Sequence, residues 1–85
     1  MTVTIVGVGL MGGSLALDLK ARGFAQRVIG VDSNQRNAGE AVALGLVDEA
    51  MDLPHALALA DLAILAIPVD EIVRVLPVVL DLIGD

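Results

Sequence analysis

The sequence predicts an α/β fold in which a doubly wound parallel sheet is truncated after about four βα units. First, a run over residues 2–6 rich in Val and Ile leads into glycines spaced G-x-G-x-x-G and then into a helix-forming run. Second, another strand ends at Asp32, twenty residues after the third glycine, the approximate spacing of a dinucleotide-binding fingerprint. Third, two more strand-then-helix units follow, and right-handed connections give the sheet order 3-2-1-4. We therefore expect residues 1–85 to form a partial Rossmann-type domain.

Composition argues against several other classes of protein. The net charge is −6 and the five basic residues are scattered, so no basic stripe is present to bind a nucleic-acid backbone. Without cysteine there is no disulfide, thiolate nucleophile or cysteine zinc site, and we predict no metal site. The longest apolar run, residues 62–69, has eight residues and includes Pro68, whereas a membrane-spanning helix needs about 20. Because no signal peptide opens the chain, we expect a cytoplasmic protein without a membrane partner.

The glycines of the first unit each have a predicted task. Gly7 allows a tight turn, Gly9 leaves the backbone open to a pyrophosphate, and Gly12 lets the helix pack close to the strand. The helix that begins near Leu10 offers unpaired backbone N–H groups and the positive end of its dipole to the phosphates. The alternative is a glycine-rich turn that binds no ligand.

The second unit predicts the choice of cofactor. A predicted strand over residues 27–31 is followed directly by Asp32. Its carboxylate can accept hydrogen bonds from the ribose hydroxyls of the adenosine and would repel a 2′-phosphate. This favours NAD over NADP. Arg36 complicates the prediction, because an arginine there can hold a 2′-phosphate or stack on adenine. Asp32 has a second interpretation, as a turn or helix-capping residue in the sequence Asp32-Ser33-Asn34.

The remaining helices and strands are predicted from the spacing of apolar residues and from the positions of Gly and Pro. We predict a helix over 34–44, a short strand over 46–50, a short helix over 54–60 and an apolar strand over 62–66. Pro77 lacks the N–H that an unbroken helix requires, so residues 69–83 are predicted to form two short helical pieces that meet near Pro77. The fourth strand is left as an apolar edge, which predicts self-association and a homo-oligomer.

The motifs together resemble a known family. The run GVGLMGGSLA at residues 7–16, with Gly-Val-Asp at 30–32 and Ala-Ile-Pro-Val at 66–69, resembles the amino-terminal part of prephenate dehydrogenase and its arogenate-using relatives. The most specific element is the Gly-Gly-Ser continuation of the glycine turn. The resemblance implies an enzyme that oxidises prephenate or arogenate with NAD or NADP. Hydride transfer coupled to decarboxylation would give, from prephenate, 4-hydroxyphenylpyruvate on the route to tyrosine.

The resemblance also implies which residues contact the cofactor. The pyrophosphate turn comprises Gly7, Gly9, Leu10, Met11 and Gly12, the ribose acid is Asp32, and the loop that borders the cofactor includes Ala66, Ile67 and Pro68. The family's catalytic histidine lies in a His-Pro-Met-Ala-Gly type motif, which is absent here together with the helical dimerisation domain. His55 lacks that context and is expected at the surface, and Ser14 is expected to be an ordinary helix residue. No catalytic residue is therefore predicted, and the 85-residue chain alone is expected to be inactive.

Two other functions remain compatible with the sequence. One is a stand-alone nucleotide-binding module that senses or scaffolds without catalysis. The other is a fragment of a different dehydrogenase of the 6-phosphogluconate type, which shares the shorter glycine turn. The residues that would choose between prephenate and arogenate, or confer feedback inhibition by tyrosine, lie outside this sequence.

Overall fold

The computed structural model describes residues 1–83 and contains one four-stranded sheet in the order β3-β2-β1-β4. The elements are β1 Thr2–Val6, α1 Leu10–Ala21, β2 Arg27–Val31, α2 Gln35–Ala43, β3 Glu49–Ala50, α3 Leu53–Leu59, β4 Leu62–Leu65 and α4 Val69–Ile83. All three strand pairings are parallel. The predicted α/β class, strand order and parallel direction are confirmed.

Strand β1 lies at the centre of the molecule. It pairs with β2 along its full length and with β4 from Val3 to Val6. One face of the sheet buries Val3 and Ile5 in a cluster with Ala16 of α1, and the other buries Val6 in a cluster with Ala56 of α3. Helices therefore cover both faces of the sheet, as a doubly wound fold requires.

The third strand is shorter than predicted. Of the expected span 46–50, only two residues form a strand. The Leu46 N–H donates to the Ala41 carbonyl at 2.9 Å, so this residue completes the end of α2 instead of extending a strand. The Asp48 carboxylate then accepts the Val28 N–H at 2.7 Å. The Asp48 N–H still donates to the Val28 carbonyl at 2.9 Å. Because a side chain takes up the Val28 N–H, however, no backbone carbonyl of the preceding residues pairs with it, and the strand comprises only Glu49–Ala50.

The last helix is continuous, so the prediction of two pieces that meet near Pro77 was wrong. Helix α4 includes Pro77 within its span. Proline removes the hydrogen bond to the carbonyl four residues earlier, which belongs to Val73. Both Val73 and Pro77 are exposed. Water can therefore solvate the released carbonyl, and the helix continues past the proline.

The β4 and α4 segment leaves much apolar surface uncovered. Leu62 of β4 is exposed, and Val79 is a buried residue of α4. The other large apolar residues exposed on α4 are Val73, Leu76, Val78, Leu80, Leu82 and Ile83. Despite this apolar character, no helix within residues 1–83 is long and apolar enough to cross a membrane.

Candidate nucleotide site

The turns that follow β1, β2 and β4 surround one cavity of about 630 Å³ at the carboxyl edge of the sheet. Six of the predicted site residues line it, namely Gly7, Gly9, Asp32, Ala66, Ile67 and Pro68. Carboxyl ends of parallel strands are where ligands bind in open α/β sheets. Leu10 and Met11 form the start of α1, but their side chains lie outside the described part of the structure. The structure thus brings the glycine turn, Asp32 and the loop at 66–68 together around one cavity.

Gly7 is required both by its backbone conformation and by a close contact. Its φ of 96° lies in the region that favours glycine. A Cβ at this position would lie 2.5 Å from the Ala66 carbonyl oxygen and 2.5 Å from Cγ2 of Ile67. Gly7 also donates its N–H to the Val31 carbonyl at 2.6 Å. The glycine therefore lets the turns after β1 and β4 touch.

Gly12 and Gly9 differ in what a side chain would meet. A Cβ on Gly12 would lie 1.9 Å from the Gly7 carbonyl oxygen, so the close packing predicted for this glycine is present. A Cβ on Gly9 would have nothing within 4 Å, and its φ of −70° suits any residue. Gly9 is therefore not required by the fold. It faces open space in the cavity, where a ligand could approach the backbone.

The start of α1 is available to an anion. Its N-cap residue, Gly9, makes no side-chain capping hydrogen bond, and the first turn contains no acidic residue. In contrast, Asn34 caps α2 by accepting from two backbone N–H groups, and Asp52 caps α3 by accepting the His55 N–H at 3.0 Å. The first N–H groups of a helix have no partner within the helix. At α1 they remain available, with the positive end of the dipole, to bind a phosphate.

Asp32 makes the turn contact that the sequence allowed, and its role toward a ribose stays a prediction. One carboxylate oxygen accepts the Asn34 N–H at 2.9 Å, which is the predicted turn contact. The other accepts the Val8 N–H at 3.1 Å. A carboxylate offers about four acceptor positions, so Asp32 can still accept from a ligand in the cavity that it lines. The Val8 contact was not foreseen, because a backbone N–H leaves no signal in the sequence.

Arg36 and His55 lie outside the cavity lining. The Arg36 side chain is 87% exposed and its Nε lies 3.4 Å from a carboxylate oxygen of Glu40. His55 is exposed, as predicted, and its Nδ1 lies 2.6 Å from Asp52 Oδ1. The backbone N–H of His55, followed by its imidazole, lowers the pKa of Asp52 below the usual value. Within residues 1–83, no group of three His, Asp or Glu side chains could hold a metal ion.

Sequence reasoning missed the part of the cavity that helices α3 and α4 contribute. Leu53 of α3 and Glu71 and Val75 of α4 all line the cavity. Glu71 and Val75 are four residues apart and so lie on one face of the helix. This spacing, shortly after the loop at Pro68, was the only available signal, and the packing of α4 decides which of its faces borders the cavity.

Comparisons with known proteins agree with this geometry. The family described as prephenate dehydrogenase, nucleotide-binding domain, matches residues 15–84. Prephenate dehydrogenase of Bacillus subtilis (strain 168) is 39% identical over 51 residues, which are 60% of this chain and 14% of that protein. The family match begins after Gly12, so the glycine turn is an observation separate from it.

Solved structures give the same result over more of the chain. Synechocystis arogenate dehydrogenase superposes with a TM-score of 0.82 and 38% identity, over 93% of this chain and 28% of that one. Prephenate dehydrogenase from A. aeolicus, solved in complex with hydroxyphenyl propionate and NAD+, has a TM-score of 0.75 and 34% identity, over 93% of this chain and 27% of that one. The chain thus spans less than a third of the length of these relatives.

Proposed function

The chain belongs to the family of prephenate dehydrogenase nucleotide-binding domains, and from this premise we propose that it is the NAD-binding portion of a prephenate or arogenate dehydrogenase of tyrosine biosynthesis. The observation that carries the proposal is the convergence of the glycine turn, Asp32 and the loop at 66–68 on one cavity. The whole enzyme would oxidise and decarboxylate its substrate, with bound NAD as the acceptor of the hydride.

The residues around the cavity fit a dinucleotide. Gly9 leaves open space at the start of α1, where the first N–H groups of the helix would bind the pyrophosphate. Asp32 lines the same cavity and would accept hydrogen bonds from the adenosine ribose. The side chain of Ile67 and the ring of Pro68 would border the cofactor on the β4 side.

Asp32 also supports a preference for NAD over NADP. A 2′-phosphate beside its carboxylate would place like charges together. Arg36, the residue that could offset this repulsion, is paired with Glu40 and highly exposed. We therefore infer that Asp32 determines the choice.

Calorimetric titration of the chain with NAD and with NADP tests this proposal. We expect NAD to bind more tightly, and we expect the ratio of the two affinities to be nearly the same in the Arg36→Gln variant. If NADP binds more tightly in the unaltered chain and loses that advantage in Arg36→Gln, Arg36 dominates and the assignment is wrong. Failure to bind either dinucleotide would reject the nucleotide site itself.

We propose further that these residues bind the cofactor without catalysis. Proton removal requires a group within about 3 Å of the substrate hydroxyl, and His55 does not line the cavity. The chain should therefore give no NADH from NAD with prephenate or arogenate above a control without protein. NADH production that His55→Ala abolishes would contradict this. A homo-oligomeric enzyme and a cytoplasmic location stay predictions from the sequence.

A further inference from the structure

Helix α4 contributes two side chains to the wall of the cavity, Glu71 and Val75. The N–H groups of Glu71 and Ile72 both donate to the Pro68 carbonyl, at 2.9 and 3.0 Å. These bonds start the helix directly at the loop after β4 and fix the backbone of Glu71. The carboxylate is therefore carried on a regular element that is anchored to the site.

The Glu71 carboxylate differs from the other acids at this cavity. Glu71 is partly buried, and among residues 1–83 its carboxylate is in no ion pair. The carboxylates of Asp32 and Asp52, in contrast, each accept backbone N–H groups. Glu71 thus lines the cavity without the hydrogen bonds to backbone N–H groups that occupy the carboxylates of the other two acids.

The cavity combines apolar walls with acceptor groups. Its apolar lining includes Leu53, Ile67, Pro68 and Val75, and its acids are Asp32, Asp52 and Glu71. Among the residues that the structure describes, no lysine or arginine lines it. Apolar walls suit a flat aromatic ring. Carboxylates without a basic partner favour a ring whose edge donates hydrogen bonds and disfavour one whose edge accepts them.

We propose that Glu71 recognises the base of the dinucleotide, accepting a hydrogen bond from the exocyclic amine of adenine while Val75 packs against the ring. The inference rests on the proposed function, because the glycine turn binds the pyrophosphate and Asp32 the adjoining ribose, which leaves the α4 side of the cavity for the base. Hypoxanthine has a carbonyl oxygen in place of the amine. A Glu71 carboxylate placed to accept from the amine would repel that oxygen, and the ring would have to shift before the carboxylate could accept the neighbouring N1–H of hypoxanthine instead. The site should therefore distinguish the two bases.

The test is a pair of calorimetric titrations, with NAD and with nicotinamide hypoxanthine dinucleotide. A hydrogen bond to a charged group corresponds to a roughly tenfold or larger change in affinity, so we expect the unaltered chain to prefer NAD by about that factor. Glu71→Met should remove the preference by weakening NAD. Glu71→Gln keeps an acceptor oxygen and should retain part of it. Asp70→Asn is the matched control, since Asp70 is exposed on the same turn and does not line the cavity, and should keep the full preference.

The outcomes separate this inference from the proposed function. If the unaltered chain binds neither dinucleotide, the proposed function fails. If it binds NAD but Glu71→Met leaves the preference between the two bases unchanged, the nucleotide site stands and the role of Glu71 is wrong. If Glu71 only stabilises the start of α4 through the helix dipole, Glu71→Gln and Asp70→Asn should lose equal thermal stability, with no change in the preference between the two bases. That result would also overturn the inference.

Discussion

Strands β1 and β4 are neighbours in the sheet and are both rich in apolar residues, yet they are buried to very different extents. Val3 and Ile5 of β1 are 1% and 0% exposed, whereas Leu62 of β4 is 43% exposed. Strand β1 has a partner on each side, while within residues 1–83 the outer edge of β4 has none. An apolar strand is therefore buried only as far as its neighbours allow, and the same kind of sequence gives a closed core in one place and an open edge in another.

The helices that follow these two strands, α1 and α4, also differ in how closely they pack against the rest of the fold. Helix α1 brings Gly12 so close to the Gly7 carbonyl that a single carbon atom does not fit. Helix α4 buries Val79 but leaves Val78 and Leu80 exposed. Substitutions at the close contact between Gly12 and Gly7 should therefore change the stability of the fold, whereas substitutions on the exposed face of α4 should change its association with other molecules.

The largest effect is expected from Gly12→Ala. The added Cβ would lie 1.9 Å from the Gly7 carbonyl oxygen, which is backbone and cannot move aside cheaply. We expect a loss of about 3 kcal/mol in the free energy of unfolding, a large fraction of the total stability of a small domain. Circular dichroism during thermal and urea denaturation measures this. Melting within a few degrees of the unaltered chain would show that the turn can widen to accept the methyl group and would contradict the prediction.

Self-association tests the exposed apolar surface of β4 and α4. Burying a few hundred Å² of apolar surface contributes several kcal/mol, at about 25 cal/mol per Å², before the entropy of association is subtracted. We expect the isolated chain to associate through the β4 edge or α4, and Leu80→Lys to weaken that association without unfolding. Light scattering over a dilution series measures it. Val42→Lys, an exposed apolar position on α2, serves as the matched control, and a chain that stays monomeric at high micromolar concentration would show that the edge needs no cover.

Gly9→Ala should separate binding from folding within the glycine turn. Since the added Cβ meets none of the described protein atoms within 4 Å, the expected loss of stability is only the lower preference of Ala for an N-cap position, roughly 1 kcal/mol or less. The same methyl group would occupy space that the pyrophosphate needs, so NAD affinity should fall roughly tenfold or more. Titration of the folded variant is decisive, because unchanged affinity would remove Gly9 from the site.

The smallest change in stability is expected at the β3 edge of the sheet, where Lys20 and Asp48 form an ion pair. The ammonium of Lys20, 2.6 Å from Asp48, and the Val28 N–H lower the pKa of the Asp48 carboxyl below its ordinary value of 3.8. A lowered pKa contributes stability above the ordinary value, and that contribution is lost as the pH falls below it. Because the pair is partly exposed, Asp48→Asn should cost roughly 1 kcal/mol or less at pH 7. Denaturation at pH 7 and near pH 3 measures the free energy of unfolding of the unaltered chain and of Asp48→Asn. The difference between them should shrink in acid, and a difference that grows would contradict the prediction.

Much of the fold could be predicted because apolar strands and glycines act locally. The strand order followed from the sequence pattern, and the tight turn at Gly7 and the close helix at Gly12 are both present. The failures have non-local causes. The Asp48 carboxylate takes up the Val28 N–H of β2, which a longer third strand would have used, and the exposure of Val73 lets α4 continue past its proline. Glu71 was missed because only the packing of α4 brings it to the cavity.

The hydrogen bond between Asp32 and the Val8 N–H constrains any attempt to redesign the coenzyme preference that we propose for this chain. Replacing an acid at the end of the second strand with a small neutral residue is a direct way to admit a 2′-phosphate. Here the same replacement would also release the Val8 N–H and loosen the turn that is to hold the pyrophosphate. A successful redesign would need a second substitution that supplies a new acceptor for this N–H. On the proposed role of Asp32, coenzyme selectivity and the rigidity of the glycine turn would depend on the same carboxylate.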